Sequence, residues 1–558
     1  MRYLIILSIA FLLTANAARA QSIEDAKKNL YYERYESAKE ILKSIISKPT
    51  APPDAYYWLA EIYLEQEDID SAETTIMLGM ENFTKQNLSK KNSPLIFAGY
   101  GHLLLDKDSL AEARKQFDDI LNETKNKDAN TLWAVGKANV DSKNGDSVWA
   151  VELLKGAVKR DKRNEIMYTT LGDAYRKLID GSNAIINYDK ALDHNKDFAE
   201  AMFKKGRVYK SQNNPEIYMD RFNKAYMMDS LYTPVLYELY YYYYFRDVEK
   251  AEKFLNAFIK NSDQSPDHAY MLADLYYVSK KWETAITQAQ RILKIEGDSA
   301  EPRMYKLIAY SNAVLGDSVG ALNNMNEYFE KQNDSSFVAR DFEMKAKLLE
   351  KINPDKTDAV IWYNKAIKKE TDKKRTVSYM KSLAELQNEL GNREREAIWR
   401  EKIYQLKETA SNLDIYKWGM ALYSAKDYAK ADSVFGIYEE KYPDQVYGYL
   451  WRARSNAAID TTLELGLAVP HYLKLIDLVS KDSVKNKAIL VRAFEYLGAY
   501  EANTTKDYNK AMEYYNRVLQ FDANHSDALK YVGILQKWID NGKGSNQVNP
   551  VDEKRDGN

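Results

Sequence analysis

A unit of about 34 residues recurs along this chain, and an internal period of that length limits the fold more than anything else in the sequence. The stretch from Asn164 to Asp197 shows the unit most clearly. Tyr168, Leu171, Gly172 and Tyr175 fall at i, i+3, i+4 and i+7, one face of a helix, and Ala184, Tyr188, Ala191 and Leu192 mark a second helical face. Asp180-Gly181-Ser182-Asn183 between them carries turn chemistry and a helix N-cap. One such hairpin cannot bury both apolar faces alone. Copies must therefore stack on either side of it.

Small residues anchor the first helices at Ala26, Ala60, Gly101, Gly136, Gly172, Gly206, Ala273, Ala309, Ala346, Ala384, Gly419, Ala453 and Gly498, with Tyr240 as the one large anchor. A second alanine follows at Ala38, Ala72, Ala113, Ala184, Ala285, Ala321 and Ala431, and with a slip of one or two residues at Ala150, Ala251, Ala359, Ala397 and Ala511. The twelfth unit reads Trp418, Gly419, Leu422, Ala431, Phe435, Tyr438 and Pro443. This pattern resembles the tetratricopeptide repeat (TPR). The resemblance implies an all-α fold, a right-handed α-solenoid of about fourteen helix-turn-helix repeats. The small anchors let helices cross closely. The Tyr240 anchor, with Tyr218 in the alanine place of the preceding unit, points to a splayed joint, and the unit of Ala453 is the least regular.

A compact single core of 558 residues would be unusual, but a solenoid has no such limit because each repeat touches only its neighbours. The formal net charge of −2, with acids and bases interspersed, recommends no nucleic acid partner. Met1 to Ala20 has Arg2, an apolar run from Tyr3 to Leu13 and Ala18-Arg19-Ala20, the pattern of a secretory signal peptide cut before Gln21. That run is too short for a permanent transmembrane span. Cysteine is absent, so neither a lipoprotein anchor nor a disulfide is available. The expected address is the periplasm or wider envelope of a Gram-negative cell.

The organisation read from the sequence is a leader at 1–20, a tandem array at 21–525, a capping helix at 526–541 opened by Ser526, and a disordered tail at 542–558. Gln86 to Ser93, Asn333 to Ser336, Asn353 to Thr357 and Lys368 to Arg375 are irregular joints, and Asn456 to Lys487 is the longest irregular segment.

By resemblance, such arrays bind a peptide or helix in a concave groove, at places three before, one after and four after each anchor. Those places hold Tyr57, Glu61 and Leu64 early, Tyr237, Tyr241, Tyr244, Tyr270, Asp274 and Tyr277 in the middle, and Tyr416, Met420 and Tyr423 late. The partner-binding candidates are the aromatic members with Asp274 and Met420. With 44 tyrosines in the chain, the run Leu239 to Phe245 must supply both packing and groove. The Lys and Asn carboxylate clamp of the best-known family members has no counterpart at these places.

An Asp-Ser or Asp-Thr pair followed by a small or apolar residue places hydroxyls at Ser71, Ser109, Ser147, Ser230, Ser299, Ser318, Ser433, Thr461 and Ser483. The triplet is similar to the general O-glycosylation sequon that one large group of Gram-negative bacteria uses on exported proteins. Helix capping is the other reading of the same residues. His102, His194, His268, His471 and His525 lack metal-ligand spacing, and no phosphate loop, nucleophile elbow or HExxH occurs. The expected function is a non-enzymatic exported scaffold for a protein or peptide partner, with no metal and no cofactor. An envelope carbohydrate-binding or nutrient-capture protein on helical repeats is the alternative.

Overall fold

The computed structural model of the protein describes residues 22–543. The expected leader, and most of the expected tail, lie outside them. Among the described residues, twenty-nine α-helices form fourteen consecutive hairpins and one closing helix. The hairpins span 23–46, 53–85, 94–123, 129–160, 165–194, 199–228, 233–261, 267–296, 303–331, 339–369, 373–406, 412–441, 446–479 and 487–521. Each contains one of the fourteen anchors. The closing helix is Ser526–Trp538, capped by the His525 imidazole, with Ser526 already helical. Packing divides the array after Ala300 into two compact units, of hairpins 1–8 and hairpins 9–14.

The anchors work through the residue they face. A Cβ added to Gly172 would lie 2.4 Å from the ring of Tyr188, and one on Gly101, Gly206 or Gly419 would lie 2.3, 2.5 or 2.6 Å from Phe117, Phe222 or Phe435. Those four aromatics lie sixteen residues after their glycines and are buried. Where the anchor is Ala26, Ala60, Ala273 or Ala309, the place sixteen residues on holds Leu42, Ile76, Ala289 or Met325, all fully buried. A methyl on the first helix is thus matched by a slimmer side chain on the second. Gly172→Ala should overpack this crossing and cost about 1–3 kcal/mol in chemical denaturation, with Tyr188→Leu in the same chain relieving part of the loss.

Hairpin turns share a backbone device. Glu33, Glu67, Asp108, Ile179, Asn213, Lys280 and Lys426 all have positive φ between the two helices of a hairpin, the left-handed stop that satisfies the last carbonyls of the first helix. In the fifth hairpin this residue is Ile179, φ 62° and 93% exposed, while Asp180 caps the second helix and Gly181 is helical. The left-handed residue therefore lies two places before the glycine that the sequence suggests. A β-branched residue is strained there, so Ile179→Gly is expected to stabilise the protein by about 1 kcal/mol, read as a raised denaturation midpoint.

Tyr240 is itself buried as an anchor, and its helix, Thr233–Tyr243, is short. In the irregular thirteenth hairpin, Asp460 is buried and accepts hydrogen bonds from the amides of Leu465 and Leu467, each 3.3 Å. That carboxylate organises the loop before Val469–Val479.

The first unit also touches itself far along the chain. The turn of hairpin 1 packs on hairpins 6 and 7 and on the joint that follows hairpin 7. Tyr31 lies 5.8 Å from Phe198 and 5.0 Å from Tyr232, ring to ring, and the Tyr32 hydroxyl donates to Asp229 at 3.0 Å. The Thr233 hydroxyl donates to the Tyr32 carbonyl. Asp263 accepts from the amides of Glu36 and Ser37 and from the Ser37 hydroxyl, at 2.7, 3.3 and 2.5 Å.

Candidate functional site

First helices of successive hairpins pack on one another, Pro53–Glu65 on Pro94–Asp106 and that in turn on Ala129–Asp141. The places one after the anchors are thereby brought close, and in hairpins 2 to 6 they hold Glu61, His102, Lys137, Asp173 and Arg207. Glu61 accepts from Lys137 Nζ at 2.9 Å and meets His102 Nδ1 at 2.9 Å, and Lys137 also pairs with Asp141. Burial alone would raise the Glu61 carboxyl, but Lys137 and His102 outweigh it and bring it down to about 2. Burial would lower His102, yet the Glu61 carboxylate beside it holds it above its ordinary value. Farther along, Asp173 accepts from the Tyr188 hydroxyl at 2.8 Å and from Lys204 at 2.6 Å. Between hairpins 2 and 6 these polar places are largely engaged by the protein's own ion pairs.

Sequence-derived groove tyrosines separate into two groups. Tyr57 and Tyr270 are core residues, 1% and 4% exposed, and serve packing, not the groove surface expected of them. Tyr57 packs edge-on against Trp58, and the Tyr270 hydroxyl donates to Glu296 at 2.6 Å. Tyr237 and Tyr241, one helical turn apart, are 45% and 64% exposed. Tyr244 is half-buried against Tyr240 and Phe245, and Tyr242 and Tyr243 pack on Tyr218 and Phe254. Asp274 and Tyr277 are half-buried, the latter against Trp282. In the second unit Tyr416, Met420 and Tyr423 are half-buried between hairpins 12 and 13, with Tyr416 5.5 Å from Tyr447 and Tyr423 5.0 Å from Trp451.

A cavity of about 570 Å³ opens at the C-terminal end of the second unit. Its wall includes Glu495, Ala499 and Ala502, the places three before, one after and four after Gly498, and Ala457, four after Ala453. Small side chains at these groove places leave the space. Tyr472, Tyr496, Tyr515, Tyr531 and Trp538 enclose it, and Arg492, Asn503 and Asp527 supply polar groups. Tyr472 is buried, with Arg492 as a charged neighbour, while Tyr531 and Trp538 of the closing helix are 42% and 40% exposed. Tyr515 stacks on Tyr531 at 5.2 Å, and Glu495 pairs with His525 at 3.1 Å. The same three-place rule, applied to the last anchor, identifies this wall from the sequence. It was overlooked because alanines carry no chemistry of their own.

Aromatic walls with a few fixed polar groups suit a bound side chain or ring. Among the described residues no cluster of His and carboxylates could hold a metal ion, and no helix is long and apolar enough to cross a membrane. The nine candidate hydroxyls are exposed or half-buried. Most lie at helix ends, but Ser433 sits inside Tyr428–Lys441.

Tetratricopeptide repeat models match residues 30–88, 238–301, 415–444 and 497–525. Similar solved structures include the C-terminal part of a TPR repeat-containing protein from Cytophaga hutchinsonii, 27% identical, covering 47% of this chain and 98% of that one at a TM-score of 0.33. A tetratricopeptide repeat protein from Parabacteroides merdae is 17% identical over 45% of this chain and 97% of its own, TM-score 0.29. Pseudomonas aeruginosa PilF is 15% identical over 36% and 90%, TM-score 0.29. No curated protein matches the chain.

Proposed function

Since the chain is a tetratricopeptide repeat protein, we propose that it is a non-enzymatic scaffold of the Gram-negative cell envelope that holds a peptide or helix of a protein partner in its groove. Repeat arrays of this kind serve in general as protein-interaction scaffolds, through extended surfaces built from many hairpins. The observation that carries the reading is the cavity at the groove places of the last hairpin, with Tyr531 and Trp538 partly exposed at its wall. An aromatic or aliphatic side chain of the partner enters it, and Arg492, Asn503 and Asp527 orient the backbone around it. Export rests on the leader pattern at 1–20 and the lack of cysteine argues against a lipid anchor.

Crosslinking mass spectrometry in the envelope, with a photoreactive residue at position 499 of the same wall, tests this. One partner peptide should be captured, and Tyr531→Ala with Trp538→Ala should cut its yield by about tenfold or more. A folded double variant that recovers the partner at full yield overturns the reading. Binding on a glycan array with no captured peptide would instead favour a carbohydrate ligand.

We infer further that the Asp-Ser and Asp-Thr triplets are modified on export. Ala72, Ala300 and Val434 are buried, but packing does not account for the other apolar third residues: Leu110, Val148, Leu231, Val319 and Val484 are 49%, 61%, 46%, 59% and 89% exposed. Intact mass of the exported protein should exceed that of the cleaved polypeptide by whole glycan units. An unmodified mass would remove the proposal.

A further inference from the structure

One face of hairpin 10 carries cations without counter-ions. Its second helix, Thr357–Lys369, exposes Ile361, Asn364, Lys365, Lys368 and Lys369 on a single side, and the one acid of the helix, Asp358, stands at the far amino-terminal end. Lys373 and Lys374 follow in the first turn of Lys373–Glu389, where the helix dipole favours acids over bases. Acids of the joint are already engaged, since Arg375 pairs with Glu370 at 3.4 Å and with Asp372 at 3.8 Å. Lys347 and Lys356 of the same hairpin likewise have Glu343 and Glu389. Among the described residues, no carboxylate pairs with Lys345, Lys365, Lys368, Lys369, Lys373 or Lys374. Trp362 gathers two of these. Lys345 Nζ lies 4.0 Å from its ring centre and Lys365 Nζ 4.2 Å, while Phe329 and Phe342 pack on the ring at 4.8 and 6.0 Å, centre to centre. An indole face attracts an ammonium but does not neutralise two of them. Burial and the Lys365 charge bring the Lys345 ammonium down to about 8, as befits two like charges with no anion between them.

We propose that this face docks on an anionic phospholipid bilayer, with Ile361 and the open part of Trp362 at the headgroup boundary and the six lysines reaching lipid phosphates. Ile361 is 54% exposed and Trp362 half-buried. Apolar and cationic groups side by side are what an interfacial helix presents, the lysine stems covering the apolar boundary while their ammoniums reach outward. The kind of cation favours lipid over a protein or nucleic acid partner. Every unpaired one is a lysine, a flexible point charge suited to mobile headgroups, whereas the arginine of the joint, whose fork reads a fixed carboxylate or phosphate, is held by Glu370 and Asp372. The face includes none of the groove places of its hairpin, Glu343, Lys347 and Glu350, so the proposal does not depend on the groove reading.

Cosedimentation of the full-length protein with vesicles of phosphatidylglycerol and phosphatidylethanolamine, set against vesicles of phosphatidylcholine, tests this. The chain has no cysteine, so Asn364→Cys gives a unique attachment point on the same face for an environment-sensitive fluorophore. The protein should sediment with the anionic vesicles in preference to the neutral ones, and less as salt rises. The label at 364 should shift to shorter wavelength at the same time. One lysine near an anionic surface contributes about a fivefold gain in partitioning. Lys365→Gln with Lys368→Gln and Lys369→Gln should therefore lower binding by at least about tenfold. Sedimentation without a shift at 364 places the contact elsewhere, the leader pattern at 1–20 included, and overturns the proposal. So does a triple variant, folded by circular dichroism, that binds as tightly as wild type. A shift at 364 with duplex DNA or polyglutamate, and none with vesicles, would assign the face to a soluble polyanion and equally overturn it.

Discussion

Glu61→Ala is expected to cost the first unit about 3–5 kcal/mol, the scale for removing one partner of a buried ion pair. Glu61 and His102 are 6% and 3% exposed, and Glu61 is the group that joins hairpins 2, 3 and 4. Without it, Lys137 keeps Asp141, but His102 loses the carboxylate at its Nδ1 and must become neutral or remain charged and buried. Amide exchange localised to hairpins 2 to 4 is the suitable measurement, because arrays of repeats need not unfold in one step. The pH dependence has a definite sign. Glu61 is depressed in the folded state, so its contribution is complete above the ordinary carboxylate value and is lost as pH falls from about 4.5 towards 2. His102 is raised, so its contribution is complete below about 6.5 and is lost as pH rises through its folded value. Hairpins 2 to 4 should therefore be most protected between about pH 4.5 and 6.5, and Glu61→Gln should flatten both flanks. A wild-type protection profile without either flank would contradict the assignment.

Asp341→Ala in the second unit should cost about 2–4 kcal/mol. This carboxylate is fully buried, accepts from the Tyr310 hydroxyl at 3.0 Å, the Tyr328 hydroxyl at 3.4 Å and the Val338 amide at 3.1 Å, and pairs with Lys306 at 2.7 Å. It therefore ties the first helix of hairpin 10 to both helices of hairpin 9. Burial and the Asp341 charge together push the Tyr328 hydroxyl well above its ordinary value, so the phenol stays a donor. Asp341→Asn keeps one of the two acceptor oxygens and loses the attraction to Lys306, and should cost less than Asp341→Ala. Exchange protection in hairpins 9 and 10 separates the two variants. Equal losses would mean that charge, and not hydrogen bonding, dominates.

Helical periodicity and the small anchors made all fourteen hairpins legible, because each is specified by contacts within about 34 residues. The tyrosine run was legible only in part. Periodicity distinguishes faces of a helix, but whether a face meets a neighbour or open space depends on the next hairpin, and so Tyr57 and Tyr270 proved to be core. The Glu61, His102 and Lys137 cluster was missed for a different reason. Its bonds span 41 and 76 residues, and a charged residue on an amphipathic helix ordinarily signals a solvated face. The contacts of Tyr32 and Ser37 lie farther still, 197 and 226 residues away, with no periodic signal at all.

Those distant contacts also set an order for folding. A linear stack can begin anywhere and grow by neighbours, as each hairpin emerges during synthesis. Hairpin 1 cannot complete its contacts that way, since Asp229, Thr233 and Asp263 are made about two hundred residues later. Its turn must wait for roughly two hundred further residues and then close a long loop, a step of high contact order. A chain halted before Asp263 should therefore hold well-formed central hairpins with an undocked amino-terminal one. Once closure is made, fraying from the amino terminus must break contacts of hairpin 1 with hairpins 6 and 7 as well as with its own neighbour.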